Sequence, residues 1–367
     1  MSKHFFIFIF IFSFIVAGFF QWTRWKELDD FIDGSMWSHQ AEYVQTGNPS
    51  EFDAKAAYGH PGGPLIEGTI AFHQAFNISY DYSLIIFISI FNALIIAVSC
   101  ALCFILRKNN LWWLAVLSAL SFNIMYNVST PPTALVSPLI VLLCLLTLYF
   151  YENKEKIKTP QTLFFAFILG LAVATRADIA GFYALAFLIF LLYEKAINWK
   201  KFLIIASGSF VFFALFDPFM YFMPWQHIKD LFAKIIFHYG EINPSHMTLE
   251  NIAAISSLAF IAIFLSVALL FMKKKIKLFL PADFIKMLLL TTTVIYSIFL
   301  TAHFQAPRYF QPTIFIWEAF LPLFLFNLTP YISFEFLKTA EQNKKMLVFV
   351  NTFVLIILIG FQVFLFL

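Results

Sequence analysis

Residues 133–151 read TALVSPLIVLLCLLTLYFY, an apolar run without a charged side chain. Its length is close to the ~20 residues that an α-helix needs to cross a bilayer. Runs of the same kind recur along the chain, near 4–20, 82–106, 111–127, 161–175, 178–194, 201–218, 251–272, 284–302, 311–328 and 346–366. With 133–151 they make eleven candidate membrane helices. The runs at 161–175 and 178–194 are short and meet at Arg176-Ala177-Asp178, which leaves open a tight hairpin or one broken helix. A transmembrane β-barrel is excluded, because its strands would alternate apolar and polar residues over about ten positions and these runs are continuous.

Composition agrees with this reading. Of 367 residues, 61% are hydrophobic and 12% charged, and phenylalanine alone fills 51 positions. An average soluble domain carries about 25% charged residues, so the chain is predicted to be an all-α polytopic membrane protein. The three cysteines, Cys100, Cys103 and Cys144, lie inside apolar runs, where packing is the expected role and a disulfide framework is not.

Charge in the short breaks predicts orientation. With a cytoplasmic N-terminus, Arg107 and Lys108, then Lys154, Lys156 and Lys158, then Lys195, Lys200 and Lys201, then Lys273, Lys274, Lys275 and Lys277, and finally Lys338, Lys344 and Lys345 all fall on the cytoplasmic side. The formal net charge of +3 is thereby accounted for by topology, and no nucleic-acid partner is implied. The first run ends in FFQWTRW without a clear small-residue cleavage site, so it is expected to stay as a helix rather than leave as a signal peptide.

The other side is chemically different. Residues 21–81 hold Glu27, Asp29, Asp30, Asp33, Glu42, Glu51, Asp53, Glu67 and Asp81 against Arg24, Lys26 and Lys55. A second outer segment, about 219–250, carries Trp225, His227, Asp230, His238, Glu241 and His246. A third is the short break HFQAPRYFQP at 303–312. Within the first segment MWSHQAEYV places Trp37, Ala41 and Val44 on one helical face, and WQHIKDLFAKIIFHYG does the same with Ile228, Leu231, Phe232 and Ile235. Both read as short interfacial helices, serving as a cover for the bundle or as a contact for lipid headgroups.

The order of these motifs carries a resemblance. DDFIDGSMWSHQAEYVQTGNP after the first helix, then YGHPGGPLI, then YNVSTPPTALVSP, then TRADIAGF, and late in the chain APRYFQP, together resemble the multi-span glycosyltransferases of the GT-C fold. The similarity is to the branch that contains protein O-mannosyltransferases and the aminoarabinose transferases of lipid A. It implies a GT-C-like bundle of about 11 transmembrane helices, residues 1–330 forming the glycosyltransferase module and residues 331–367 a cytoplasmic loop and the terminal transmembrane helix. It also implies transfer of a sugar from a polyprenyl-phosphate donor, with an acidic residue of the first outer loop taking part. By that resemblance Asp33 fits the acidic position through its distance from Thr46-Gly47. Gly34 stands where a paired Glu is usual, and Gly62-Gly63 interrupts the usual prolines between His60-Pro61 and Pro64. Arg308, Tyr309 and Pro312 fit the late Arg-Tyr feature.

Each residue also has its own chemistry. A carboxylate at position 33 suits removal of a proton from an acceptor hydroxyl as that oxygen attacks the anomeric carbon. A helix N-cap is the competing role for Asp33. Asp30 is the reserve base, and a helix would set Asp29 and Asp33 on the same face. Arg308 offers a planar fork for phosphate oxygens, with Tyr309 beside it, or else snorkels at a helix end. Arg176 is a second cation for the phosphate, with Asp178 as a competing partner. His60 reads as a sugar or phosphate contact or as part of a turn, and Gly62, Gly63 and Pro64 favour a fixed, close-approach turn.

His227, His238 and His246 lack the spacing of a zinc motif. A divalent cation on first-loop carboxylates stays open as the one cofactor to consider. The expected partners are a polyprenyl-phosphate-linked sugar, membrane lipids and an acceptor, which is a glycan, a glycolipid or a protein. The expected place is the cell membrane, multi-pass, with an extracytoplasmic active face. Two rivals are a transporter or flippase for lipid-linked sugars and a non-catalytic assembly subunit. The first would place polar groups at mid-membrane and show related halves, and the second needs no acid and arginine set.

Overall fold

The computed structural model describes residues 3–25, 34–47, 62–106, 113–114, 116–117, 120–121, 131–154, 156–231, 281–301 and 316. The predicted runs 251–272 and 346–366, nearly all of 311–328 and most of 111–127 lie outside the described residues. Those described are helical throughout, joined by short turns. The helices are α1 (Lys3–Trp25), α2 (Gly34–Thr46), α3 (Gly63–Phe76), α4 (Tyr80–Leu106), α5 (Pro131–Glu152), α6 (Thr159–Thr175), α7 (Ala177–Tyr193), α8 (Trp199–Phe216), α9 (Phe219–Phe222) and α10 (Ala282–Thr301). Residues 224–231 form a further helical segment.

Local chemistry sets several boundaries. Gly47, at φ +68°, ends α2 in the left-handed region that glycine tolerates, and its N–H donates to the Tyr43 carbonyl at 2.9 Å. Asn77 ends α3 in the same way at φ 52°, donating to the His73 carbonyl at 2.8 Å. The Gln161 side chain accepts from the Lys158 N–H at 2.6 Å, and Pro160 takes a first-turn position where its missing N–H costs nothing. Asn198 caps α8, its side chain accepting from the Lys201 N–H at 2.9 Å.

The run at 133–151 becomes α5, the centre of the bundle. Almost every residue from Pro131 to Phe150 is buried, and Pro138 is accommodated within the helix. Around it pack α4, α6 and α7. On the other flank of α4 lies α1, which turns Ile9, Ser13 and Ala17 inward and leaves Phe8, Ile11 and Phe19 exposed. An apolar outer surface of this kind suits a lipid environment. By length and hydropathy α4, α5 and α8 are each sufficient to cross a membrane, whereas α6 and α7 are 17-residue apolar helices.

The joint at 176–178 resolves as a tight hairpin. Arg176 is the single residue between α6 and α7, with extended backbone at φ −159° and ψ 90°. At the far end of α7, Lys154 donates to the Glu194 carbonyl at 2.5 Å and Phe190 packs on Tyr151, which returns α7 to the end where α6 begins.

Helices α6 and α8 run parallel at very short range. A Cβ at Gly170 would lie 2.6 Å from the Ser209 carbonyl oxygen and 2.7 Å from Phe212 Cβ, and one at Gly208 would lie 3.0 Å from Ala166 Cβ. Small residues let two apolar helices approach where lipid gives them no hydrophobic reason to associate.

The bundle therefore has two distinct ends. Lys154, Lys156, Lys158, Lys195, Lys200 and Lys201 belong to turns and first turns at one end. The opposite end gathers the start of α3, the start of α5, the α6–α7 joint and the close of α8. Helix α2 covers that second end by packing on α3 and α4.

Candidate functional site at one end of the bundle

The Gly62-Gly63-Pro64 turn starts α3 and is buried. Pro64 fills the first turn of the helix, where its fixed φ suits helix entry. Both glycines are hemmed in. A Cβ on Gly62 would collide with the six-membered ring of Trp37, and one on Gly63 would collide with the Phe216 carbonyl oxygen and lie 2.7 Å from Asp217 Cα. Thus the turn is held between α2 on one side and the end of α8 on the other. Trp37 is itself held, because α2 is tied to α4 by a Ser38 hydroxyl bond to the Asp81 carboxylate and by a 2.9 Å bond from Tyr80 Oη to Gln45 Oε1. Trp37 and Ala41 are buried and Val44 half-buried, the face read from the sequence.

Arg176 lies at the same end. Its Nη1 donates to Thr133 Oγ1 at 2.6 Å, linking the α6–α7 joint to the first turn of α5. Helix α3 packs against α6, so the glycine turn and Arg176 belong to one neighbourhood. The remaining sequence candidates Asp30, Asp33, His60, Arg308 and Tyr309 lie outside the described residues, as do His238 and His246.

Two carboxylates that were not singled out for a role also converge here. Asp217 follows the last residue of α8, and both its side chain and that of His227 are fully buried. The Asp217 carboxylate accepts from His227 Nε2 at 2.7 Å through Oδ2 and from the Phe219 N–H at 3.1 Å through Oδ1. The His227 ring packs against Phe219 with centroids 5.5 Å apart. A carboxylate directly before a proline at the close of an apolar run was the available signal for Asp217. Nothing in the sequence paired it with a histidine ten residues later.

Glu67, one turn into α3, is half-buried. Burial raises its carboxyl pKa above the ordinary glutamate value, and the nearby Asp217 charge raises it further. The linkage sign follows. A raised folded-state pKa means that the native state binds the extra proton, so this contribution to stability is present at low pH and lost as pH rises through the folded value. Glu67→Gln is therefore expected to flatten the fall in thermal midpoint between the ordinary glutamate range and the higher folded-state pKa. Unchanged slopes in a pH series of melting curves would refute this account of Glu67. Among the described residues, no group of three or more His, Cys, Asp or Glu side chains is arranged to hold a metal ion.

No protein-family model matches the chain, and no curated protein matches it in sequence. Among solved structures, the fold is similar to that of ArnT from Cupriavidus metallidurans bound to undecaprenyl phosphate. The match has a TM-score of 0.55 and 12% sequence identity, and it covers 96% of this chain and 70% of the ArnT chain. The chain is thus an all-α polytopic membrane protein with a GT-C-like fold.

Proposed function

We propose that this protein is an integral-membrane glycosyltransferase that moves a sugar from a polyprenyl-phosphate donor to an acceptor hydroxyl, with inversion, at the extracytoplasmic face. The observation that carries this reading is the likeness over 96% of the chain to a structure that holds undecaprenyl phosphate. The one-sided basic turns support the orientation, since the glycine turn, Arg176 and Asp217 lie at the end of the bundle away from them.

The chemistry asked of such a site is modest. One carboxylate receives the acceptor proton while the acceptor oxygen attacks the anomeric carbon, and the bond to the lipid phosphate oxygen breaks. The leaving polyprenyl phosphate departs as a stable anion, so a strong general acid is not needed. Cations placed around it stabilise the charge that develops. Asp33 is proposed as the base with Asp30 in reserve, Arg308 and Arg176 as the phosphate-binding cations with Tyr309 beside Arg308, and His60 as a contact to the sugar. Gly62, Gly63 and Pro64 shape the loop between them. Glycans, glycolipids and proteins all offer the attacking hydroxyl.

Purified protein in proteoliposomes, given polyprenyl-phosphate sugars and a panel of acceptors, is expected to release polyprenyl phosphate and form a glycosidic bond of inverted configuration. Transfer from nucleotide sugars, with none from lipid-linked donors, would sink the donor assignment.

A further inference from the structure

We infer that Asp217 and His227 are a positioning pair, which sets the Gly62-Gly63-Pro64 turn of the proposed transfer site. The inference rests on the transfer reading above. Neither residue is placed to meet substrate, because both side chains are fully buried and both carboxylate oxygens of Asp217 already accept hydrogen bonds. Their effect must pass through the backbone.

The route is short. Asp217 Oδ1 holds the start of α9 and Oδ2 holds His227, so one carboxylate ties the close of α8 to α9 and to the helical residues 224–231. His227 is anchored in turn by its own N–H, which donates to the Met223 carbonyl at 2.9 Å, and by its ring contact with Phe219. The corner so defined presents the Phe216 carbonyl oxygen and Asp217 Cα to Gly63, with no room for a methyl group between them. The three nearest atoms are all backbone, which cannot yield as the tip of a flexible side chain can. A change in the corner therefore moves the turn.

A well-packed apolar pair would hold the same corner without the cost of removing polar groups from water. What an Asp–His pair adds is direction, since a hydrogen bond to one carboxylate oxygen fixes both distance and angle. That property matters where reacting groups must be held closely, because a misplacement of about 1 Å costs on the order of 10²-fold in rate.

The test compares His227→Ala, His227→Gln, Gly63→Ala and the His227→Ala/Gly63→Ala double variant in the full chain, in nanodiscs. Two quantities are read: hydrogen exchange at the Leu65 and Ile66 amides, which bond to the Gly62 carbonyl, and kcat and KM with a polyprenyl-phosphate sugar. His227→Ala is expected to raise exchange at both amides and to lower kcat by on the order of 10-fold to 10²-fold, with the donor KM near the parental value. Gln, whose amide N–H replaces the Nε2 donor, is expected to restore most of both. The double variant is expected to be little worse than either single one, as coupled neighbours require.

Parental exchange at Leu65 and Ile66 in His227→Ala overturns the link between pair and turn, whatever the activity. Raised exchange with a parental kcat overturns the positioning role. If His227→Ala does not insert, His227→Gln and Gly63→Ala carry the comparison, and a Gly63→Ala protein with parental kcat and exchange overturns the proposal. Parental protein inactive with every lipid-linked donor would count against the transfer reading alone, since the exchange arm still decides the coupling.

Discussion

An Asp33→Asn substitution is expected to slow sugar transfer by about 10²–10⁴-fold while leaving donor affinity near the parental value, because it keeps size and hydrogen-bonding capacity but removes the base. Arg308→Ala should show the complementary pattern. It weakens the complex with polyprenyl phosphate and slows transfer as well, since a cation beside the leaving group acts in the ground state and in the transition state. Single-turnover rates at saturating donor, with direct measurement of donor affinity and a check of membrane insertion, separate the two. Parental transfer by Asp33→Asn together with an inactive Asp30→Asn reassigns the base to Asp30. Activity in both, with normal donor binding by Arg308→Ala, would show that the proposed site is wrong.

The second large effect concerns the bundle and not the chemistry. Gly170→Val is expected to separate α6 from α8, because two of the atoms that its Cβ would meet, the Ser209 carbonyl oxygen at 2.6 Å and the Phe213 nitrogen at 3.0 Å, belong to backbone. Overpacking typically costs about 1–3 kcal/mol, and a contact without flexible side chains belongs at the upper end of that range. Gly181 in α7 is the control, since a Cβ there meets nothing within 4 Å. Thermal unfolding in detergent should show a clear drop for Gly170→Val and little change for Gly181→Ala. Equal melting temperatures for the two variants would contradict the close crossing.

These two predictions stand at opposite ends of what the sequence makes legible. The apolar runs announce the bundle directly, because a lipid-facing helix has no need of a polar stripe, and α4, α5, α8 and α10 begin within about two residues of their runs. The α6–α7 joint was undecidable from the same signal. Run length reports that two segments exist, while the direction of the second depends on the Arg176 backbone and on contacts such as Lys154 with Glu194. The face formed by Trp37, Ala41 and Val44 was legible from helical spacing. The contact between Trp37 and Gly62 was not, since it joins two elements through a close approach that only coordinates reveal.

For the site, sequence favours residues that stand out in polar breaks. Asp33, His60 and Arg308 do so. Asp217 does not, because it closes an apolar run, and His227 looked like one of three scattered outer histidines. Its partner became visible only when α8 and the segment after it were folded back on each other. Glu67 was one acidic residue among nine in the first outer segment, and its distinction comes from burial near Asp217.

The hairpin of α6 and α7 has a consequence for the surrounding lipid. Each helix has 17 residues, about 26 Å at 1.5 Å per residue, against a hydrocarbon layer of about 30 Å. With Arg176 alone between them, the hairpin has no spare length with which to lift its tip, and tilting would only shorten its reach. A bilayer of that thickness is expected to meet the hairpin by thinning beside it or through snorkelling of the flanking Lys158 and Lys195, at a modest cost for each ångström of mismatch. Lipids with shorter acyl chains are expected to relieve the mismatch around Arg176.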